Sequence, residues 1–243
     1  MAKNKKQAGS LQKKGSGIFA LEKTILTVKQ FNFLECIRNE KQIIKRFYLT
    51  GGTALAEFYL KHRLSDDIDL FNEDQEIDQK LVEVFLRKIS PRLKVVKIKK
   101  SQFLGLVSYK LVFKDKQELK VDFNFYPFPR IAKGQKYHDL EIDSIYDIAA
   151  NKVHTLFMKP RARDYIDLYF ILSQFKYDLS KLILDAKAKF DWHIDPVTLS
   201  SQFLKVKGFP KSEFPQMLVK FDQKQMEDFF VKLAKSLEKE IFK

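Results

Sequence analysis

The chain has few residues of the kinds that form cross-links or soft metal sites. Cys36 is the only cysteine among 243 residues, so an internal disulfide is excluded. The four histidines are scattered, which excludes a Cys/His cluster of zinc-binding spacing. No apolar run approaches the ~18–20 residues that a membrane span requires, and the N-terminus lacks the apolar core of a signal peptide. We therefore expect a soluble, cytoplasmic protein that makes no membrane contact.

Positive charge, in contrast, is abundant. Lys and Arg number 45 against 31 Asp and Glu, for a formal net charge of +14. Residues 1–16 hold five lysines and no acid, and we predict that they form a disordered basic tail. Subtracting those five charges from +14 leaves about +9 on the body. That excess favours RNA over a small neutral substrate, although lysine-rich surfaces are often merely solvated.

A double glycine follows a short apolar run. Phe47–Leu49 predicts a strand, Gly51 and Gly52 a tight turn, and the spacing of the apolar residues after Thr53 a helix. Glycine permits positive φ and a close approach of the backbone to a ligand, and the first N–H groups of a helix bind anions. The pattern predicts a phosphate-binding turn, while an ordinary turn remains the alternative.

Two aspartates follow at a spacing of two residues. The stretch DIDLF, which begins at Asp67, alternates polar and apolar residues, so a strand here sends Asp67 and Asp69 to one face. Their Cα atoms would lie roughly 6.5–7 Å apart, close enough to bind a pair of divalent cations. Residues 118–126 alternate in the same way and place Asp122 on a polar face. Each aspartate could equally belong to a solvated strand face.

Lys152 lies within an apolar helical stripe. Ser144 and Asp147 form a capping box that predicts the start of this helix. An unpaired ammonium on the buried side of a helix is costly, so Lys152 must reach solvent or meet an anion. A bound triphosphate or Asp164 would satisfy it.

The next helix begins near a cluster of charges. Asp164 and Asp167 are spaced as an N-cap pair, which is a sufficient structural explanation for both. Alternatively, Asp164 orients Lys152, and Arg161 and Arg163 contact phosphate. Both interpretations remain open from the sequence.

The motifs GGTAL, HRLS and DIDLF closely resemble the AbiEii/AbiGii-type nucleotidyltransferase toxin family, a branch of the DNA polymerase beta-like nucleotidyltransferase superfamily. The family's third acidic residue, its D-x-x-A-x-K helix and its R-D-x-x-D-L motif correspond to Asp122, to DIAANK ending at Lys152 and to RDYIDL containing Asp164. The match covers residues 47–172, about half the chain. Thirteen residues separate Thr53 from Asp67, more than the common spacing of the superfamily.

The resemblance implies an α/β (α+β) fold: a polymerase beta-like core with a mixed or antiparallel sheet flanked by helices, followed by a helical C-terminal domain. We place the catalytic core at 17–140 and the helical domain at 141–243. The periodicity predicts helices over 19–46, 77–89 and 165–175, and strands over 93–98, 106–113 and 119–126.

The resemblance also implies magnesium-dependent transfer of a nucleoside monophosphate from an NTP to a hydroxyl, with release of pyrophosphate. It assigns Asp67, Asp69 and Asp122 to two Mg²⁺ ions. It assigns Gly51, Gly52, Thr53, Arg63 and Ser65 to the nucleotide. Lys152 would neutralise the leaving pyrophosphate, with Asp164 beside it.

The implied acceptor is RNA, specifically the 3′ end of tRNA, and the implied role is that of a toxin neutralised by a separately encoded antitoxin. Three alternatives remain. The same fold could modify a small molecule or a protein side chain. It could be a non-catalytic module that binds nucleic acid or antitoxin. A metal-dependent phosphohydrolase is the third, although it would normally require histidines near these aspartates.

Overall fold

In a computed structural model of the protein, the structure describes residues 24–241, with side chains through residue 237. The predicted basic tail, 1–16, lies outside the described residues, as does the start of the first predicted helix. The α-helices of this part of the chain are α1 (Val28–Ile37), α2 (Lys41–Ile44), α3 (Gly51–Leu55), α4 (Gln79–Leu93), α5 (Ile145–Met158), α6 (Ala162–Phe175), α7 (Leu179–Phe190), α8 (Pro196–Leu204) and α9 (Gln223–Ile241). The strands are β1 (Tyr48–Thr50), β2 (Ile68–Asn72), β3 (Val95–Phe103), β4 (Leu106–Phe113), β5 (Glu118–Phe125), β6 (Lys136–Tyr137) and β7 (Leu140–Glu141).

The first five strands form one mixed sheet in the order β1-β2-β5-β4-β3. β2 and β5 are parallel, and the other neighbouring pairs are antiparallel. α4 packs on one face, where the alternation of β5 buries Val121 and Phe123 completely. Phe33 of α1 contacts Phe85 of α4 at a ring-centroid distance of 6.0 Å. Burial of each such side chain contributes about 1.5–3 kcal/mol, so this face is the core and the opposite face is free for a site.

The predicted α/β fold is confirmed, with differences at the element boundaries. β4 has the predicted bounds, and β5 begins and ends one residue early. In place of the single helix predicted over 19–46, the described residues form two: α1 begins at Val28, where Thr27 caps it through a capping box with Gln30, and ends at Ile37, and α2 begins at Lys41. The helix predicted over 77–89 continues to Leu93, where Lys94 ends it with a φ of +59°. β3 is therefore shifted towards the C-terminus.

The segment after the double glycine is not one regular helix. α3 ends at Leu55 and continues as a π-helix over Ala56–Leu60. Lys61 terminates it with a φ of +52°. Single π-turns within helices often occur at functional sites, and this one connects the double glycine to the loop that carries Arg63.

From residue 144 onward the chain is largely helical, as predicted, with α5 packed against α6 and α7. Lys189 of α7 donates to Asp147 of α5 at 2.7 Å, and both side chains are fully buried. A later segment pairs with the Arg63 loop, since Leu218 N donates to His62 O at 2.8 Å. The division at residue 140 remains a prediction. None of the described helices is long and apolar enough to cross a membrane.

Candidate active site

A cleft of about 410 Å³ opens between the free face of the sheet and helices α5 and α6. Its volume lies within the range typical of small-molecule sites. It is lined by nearly all of the residues predicted from sequence: Gly51, Gly52, Arg63, Ser65, Asp67, Asp69, Asp122, Lys152 and Asp164. Thr53 is the exception. Its buried hydroxyl donates to the backbone carbonyl of Asp67, so it fastens the turn to β2 and faces away from the cleft.

The strand register brings the carboxylates together. Asp69 of β2 is the direct partner of Asp122 on the parallel strand β5 and of Thr50 on β1. Partners across a sheet project from the same face. Asp67 immediately precedes β2 and lines the same cleft, whereas Asp66 is exposed. The three predicted carboxylates therefore share one cleft.

Asp69 lies close to the glycine turn and to the other two carboxylates. Burial, together with the neighbouring charges of Asp122 and Asp67, raises the pKa of Asp69 to about 6. Gly51 faces it with a φ of +74°, and a Cβ at Gly51 would lie 2.1 Å from Asp69 Oδ2. No side chain other than hydrogen fits there without displacing the carboxylate. Gly51 thus allows the backbone of the turn to contact Asp69 directly.

Lys120 bridges two of the carboxylates, a role that its sequence motif did not predict. Its Nζ lies 2.5 Å from Asp122 Oδ2 and 3.6 Å from Asp67 Oδ2. Burial alone would lower the pKa of Lys120, but the hydrogen bond and charge of Asp122 raise it above its usual value. Ser108 donates to the other oxygen of Asp122 at 2.6 Å. The alternation of β5, which places Lys120 two residues before Asp122, was the available signal.

The donors of this cleft fit a hard divalent cation chemically, because Mg²⁺ prefers carboxylate oxygens. Burial is the main cause of the raised pKa of Asp69, and the charges of Asp122 and Asp67 add to it, so a bound cation would stabilise the ionised carboxylate. Within the described residues, however, no three His, Cys, Asp or Glu side chains form a group that could hold a metal ion as they stand. Lys120 provides the positive charge between Asp67 and Asp122. A cation bound by this set would share Asp67 and Asp122 with the Lys120 ammonium.

The second glycine opens the cleft towards two further predicted residues. A Cβ at Gly52 would lie 2.6 Å from Arg63 Nη2 and 2.9 Å from Ser65 Oγ. Arg63 is paired with Asp167, to which it donates hydrogen bonds through Nε at 2.6 Å and through Nη2 at 2.8 Å. Its bidentate pair fixes the guanidinium beside the cleft, so Arg63 positions the turn and has limited freedom to follow a ligand.

Lys152 is nearly buried and is held by two carboxylates. Its Nζ lies 2.7 Å from Asp164 Oδ1 and 2.6 Å from Asp167 Oδ2. Burial opposes ionisation of Asp167, yet the charges of Lys152 and Arg63 hold its pKa well below the usual range. The N-cap of α6 is Arg161, and neither aspartate caps the helix. The structure therefore places Asp164 beside Lys152 and assigns Asp167 a role as an ion-pair partner.

This cluster retains positive charge near the cleft. Lys152, Arg63 and Arg161 form ion pairs with Asp164 and Asp167, and the charge of Asp69 also acts on Lys152 and Arg161. His62 also contacts Asp167, at 2.9 Å, but burial lowers the pKa of His62 and keeps the imidazole neutral near pH 7. Arg163 lines the cleft as well. With Arg163, four cations stand against the three carboxylates of Asp69, Asp164 and Asp167, which favours an anionic ligand.

An apolar wall completes the cleft. Phe71 of β2 and Tyr126 contact each other at a centroid distance of 4.7 Å, and both line the cleft with Leu106 and Ile148. Aromatic faces of this kind stack against nucleobases. The cleft thus combines carboxylates, a glycine turn, a basic cluster and an aromatic wall.

Two solved structures from Helicobacter pylori share the fold. One is that of JHP933, with a TM-score of 0.51 at 20% sequence identity, covering 88% of this chain and 94% of that chain. The other is described as a candidate nucleotidyltransferase, with a TM-score of 0.54 at 19% identity, covering 88% and 97%. At these identities the likeness shows the fold alone. An uncharacterized protein of Aquifex aeolicus (strain VF5) is 30% identical over 151 residues, which are 61% of this chain and 68% of that protein.

A family model described as "Nucleotidyl transferase AbiEii toxin, Type IV TA system" matches residues 32–238, which is most of the chain. The match extends beyond the motifs noted in the sequence and includes the helical half. The chain therefore belongs to the AbiEii nucleotidyltransferase toxin family and is a nucleotidyltransferase.

Proposed function

We propose that this nucleotidyltransferase moves a nucleoside monophosphate from an NTP to the 3′ hydroxyl of an RNA, specifically a tRNA, with Mg²⁺ as its cofactor. The observation that carries this proposal is the convergence of Asp67, Asp69 and Asp122 opposite the Gly51 turn in one cleft. In the cell it acts as the toxin of a pair whose antitoxin is a separate protein.

Asp67, Asp69 and Asp122 would hold the magnesium. When bound, Mg²⁺ neutralises triphosphate charge and lowers the pKa of the attacking hydroxyl. In the reaction, the acceptor oxygen forms a bond to the α-phosphorus, and the bond from that phosphorus to the bridging oxygen of the β-phosphate breaks. Asp122 accepts the hydroxyl proton at a carboxylate oxygen. The products are the extended acceptor and pyrophosphate.

The basic cluster binds the leaving group. Lys152, held by Asp164 and Asp167, presents its charge at a fixed position and needs no reorganisation as charge develops on pyrophosphate. Arg161 and Arg163 line the same end of the cleft and extend this positive surface. The backbone of Gly51 and Gly52 contacts the phosphates, and the nucleobase stacks against the aromatic wall.

Incubation of purified total tRNA with each labelled NTP and Mg²⁺ tests the proposal. We expect label transfer from at least one NTP by the native chain, and at least a thousandfold less by Asp69→Asn. Asp66→Asn is the matched control, because Asp66 is exposed three residues before Asp69. Absence of transfer to tRNA by a chain that binds NTP would reject the RNA acceptor in favour of a protein or small molecule. Absence of both nucleotide transfer and NTP binding would favour a non-catalytic module.

A further inference from the structure

The sheet face that carries the carboxylates continues beyond the cleft onto β4 and β3. Lys120 of β5, Lys110 of β4 and Lys99 of β3 are consecutive partners across these strands. Cross-strand partners project from the same face, and two strand spacings cover roughly 10 Å. Because Lys120 lines the cleft, a row of three lysines runs outward from the carboxylates.

This row is accessible and retains net positive charge. The side chains of Lys99 and Lys110 are 51% and 46% exposed. Both contact the same carboxylate, Glu118, at 2.9 Å and 3.0 Å. Lys97 is exposed and pairs with a β4 residue on the same face. One acid therefore neutralises only part of the charge outside the cleft.

The β3–β4 hairpin tip, which lies four residues or roughly 13 Å along β3 from Lys99, exposes two large apolar side chains. Phe103 is 73% exposed and Leu104 is 82% exposed. Phe103 is the cross-strand partner of Leu106, which lines the cleft. Leu104 has a φ of +50°, a region that a leucine rarely adopts. Neither side chain contributes to the core, and Phe103 lies next to Leu106 of the cleft wall.

We propose that Lys97, Lys99, Lys110 and Phe103, the acceptor strip, bind the single-stranded 3′ end of an RNA. The inference deepens the proposed function and rests on it. Lysines that track a backbone and an aromatic ring that stacks a base are the two elements of single-strand recognition. The row across the sheet that contains Asp122 and its partner Asp69 lies between the lysines and Phe103, and the terminal hydroxyl must lie there. The phosphates contact the lysines, and a base near the 3′ end stacks on Phe103.

Binding is measured by fluorescence anisotropy with a 5′-labelled single-stranded oligoribonucleotide that has a free 3′ hydroxyl. In Lys99→Gln/Lys110→Gln, the slope of log affinity against log salt falls in magnitude by about 1.4, at about 0.7 for each lost phosphate contact. Affinity near 0.15 M salt falls about tenfold, as that slope requires. Lys80→Gln/Arg87→Gln is the control, since both are exposed positive side chains on α4, behind the opposite face of the sheet.

The stacking element is tested separately. Phe103→Ala weakens binding about tenfold, a typical loss for one stacked base, without changing the salt slope. Val84→Ala, which truncates a side chain that is 67% exposed on α4, leaves affinity unchanged.

These outcomes are independent of catalysis, because the binding assay contains no NTP. Native RNA affinity in both acceptor-strip variants would overturn the inference even if the native chain transfers nucleotides to tRNA. Loss of poly-L-glutamate binding in the lysine variant, with RNA affinity intact, would also overturn it and would point to an acidic protein partner. A native chain that binds RNA through the strip but transfers nothing to it would refute only the proposed function.

Discussion

The ammonium of Lys152 and the carboxylate of Asp167 are 2.6 Å apart, joining α5 to α6 where the Asp167 side chain is fully buried. Asp167 also accepts two hydrogen bonds from Arg63. One carboxylate therefore connects the two helices to the loop that leads into β2. The geometry of the cleft depends on a residue that does not line it.

Replacement of Asp167 by Asn should destabilise the fold. The change leaves Lys152 and Arg63 buried with one partner fewer, and breaking a buried pair typically costs about 3–5 kcal/mol. Urea unfolding at neutral pH measures the loss. Asp185→Asn is the control, because Asp185 contacts a lysine that is 67% exposed and should lose under about 1 kcal/mol. Equal losses in both variants would contradict the role assigned to Asp167.

Removal of Lys120 should strengthen divalent-cation binding. Lys120→Met removes the ammonium that lies between Asp67 and Asp122. We expect the Kd for Mn²⁺ to fall about fivefold, corresponding to roughly 1 kcal/mol, in isothermal titration calorimetry. Lys110→Met is the control on the adjacent strand. Weaker binding in Lys120→Met would show that Lys120 supports the cation site instead of competing with it.

Gly51→Ala should abolish transfer while leaving the chain folded. The new Cβ would lie 2.1 Å from Asp69 Oδ2, at a φ of +74°. The left-handed backbone costs about 1–2 kcal/mol, and the displaced carboxylate should reduce activity at least a hundredfold. Gly208→Ala meets open space and should behave as the native chain. Circular dichroism checks the fold; more than half of native activity in Gly51→Ala would contradict the assigned contact.

Ionisation of Asp143 should lower the free energy of unfolding as pH rises. Burial raises the pKa of Asp143 to about 7, although a hydrogen bond from Thr50 opposes the shift. In the unfolded chain its pKa is about 3.9, so between these values the folded state holds one proton more. Stability therefore falls with increasing pH by up to about 1.4 kcal/mol per unit.

Asp143→Asn tests this pH dependence. The variant should be more stable than the native chain at pH 8, and the difference should disappear as pH falls towards 4. Urea unfolding at several pH values measures it. A stability difference that is constant from pH 4 to 8 would show that Asp143 has the same pKa in the folded and unfolded states.

Prediction from the sequence was most reliable for features that depend on residues close together along the chain, such as strand faces and turns. The alternation of β5 placed Asp122 on the polar face, and the double glycine marked the turn that contacts Asp69. The fold class followed from the same periodicity and from the resemblance. The observed helix boundaries differ from the predicted ones where a single capping residue sets them, as at Thr27.

Contacts between distant residues were not predictable in this way. Asp167 fits an N-cap pattern, and only the fold reveals its pairing with Arg63, 104 positions away. Lys120 stands beside Asp122 in the alternation, but its contact with Asp67 depends on the parallel pairing of β2 and β5. Thr53 matched the family motif, yet its hydroxyl donates to the backbone carbonyl of Asp67.

The proposed reaction moves the α-phosphate of the NTP, with its nucleoside, to the RNA and releases the β- and γ-phosphates as pyrophosphate. Parallel reactions with α-labelled and γ-labelled NTP, in the presence of tRNA and Mg²⁺, test it most directly. We predict that only the α label enters the RNA, that the γ label leaves as pyrophosphate, and that Asp69→Asn abolishes both while Asp66→Asn does not. Release of the γ label as inorganic phosphate, or its transfer to the acceptor, would contradict the proposed reaction.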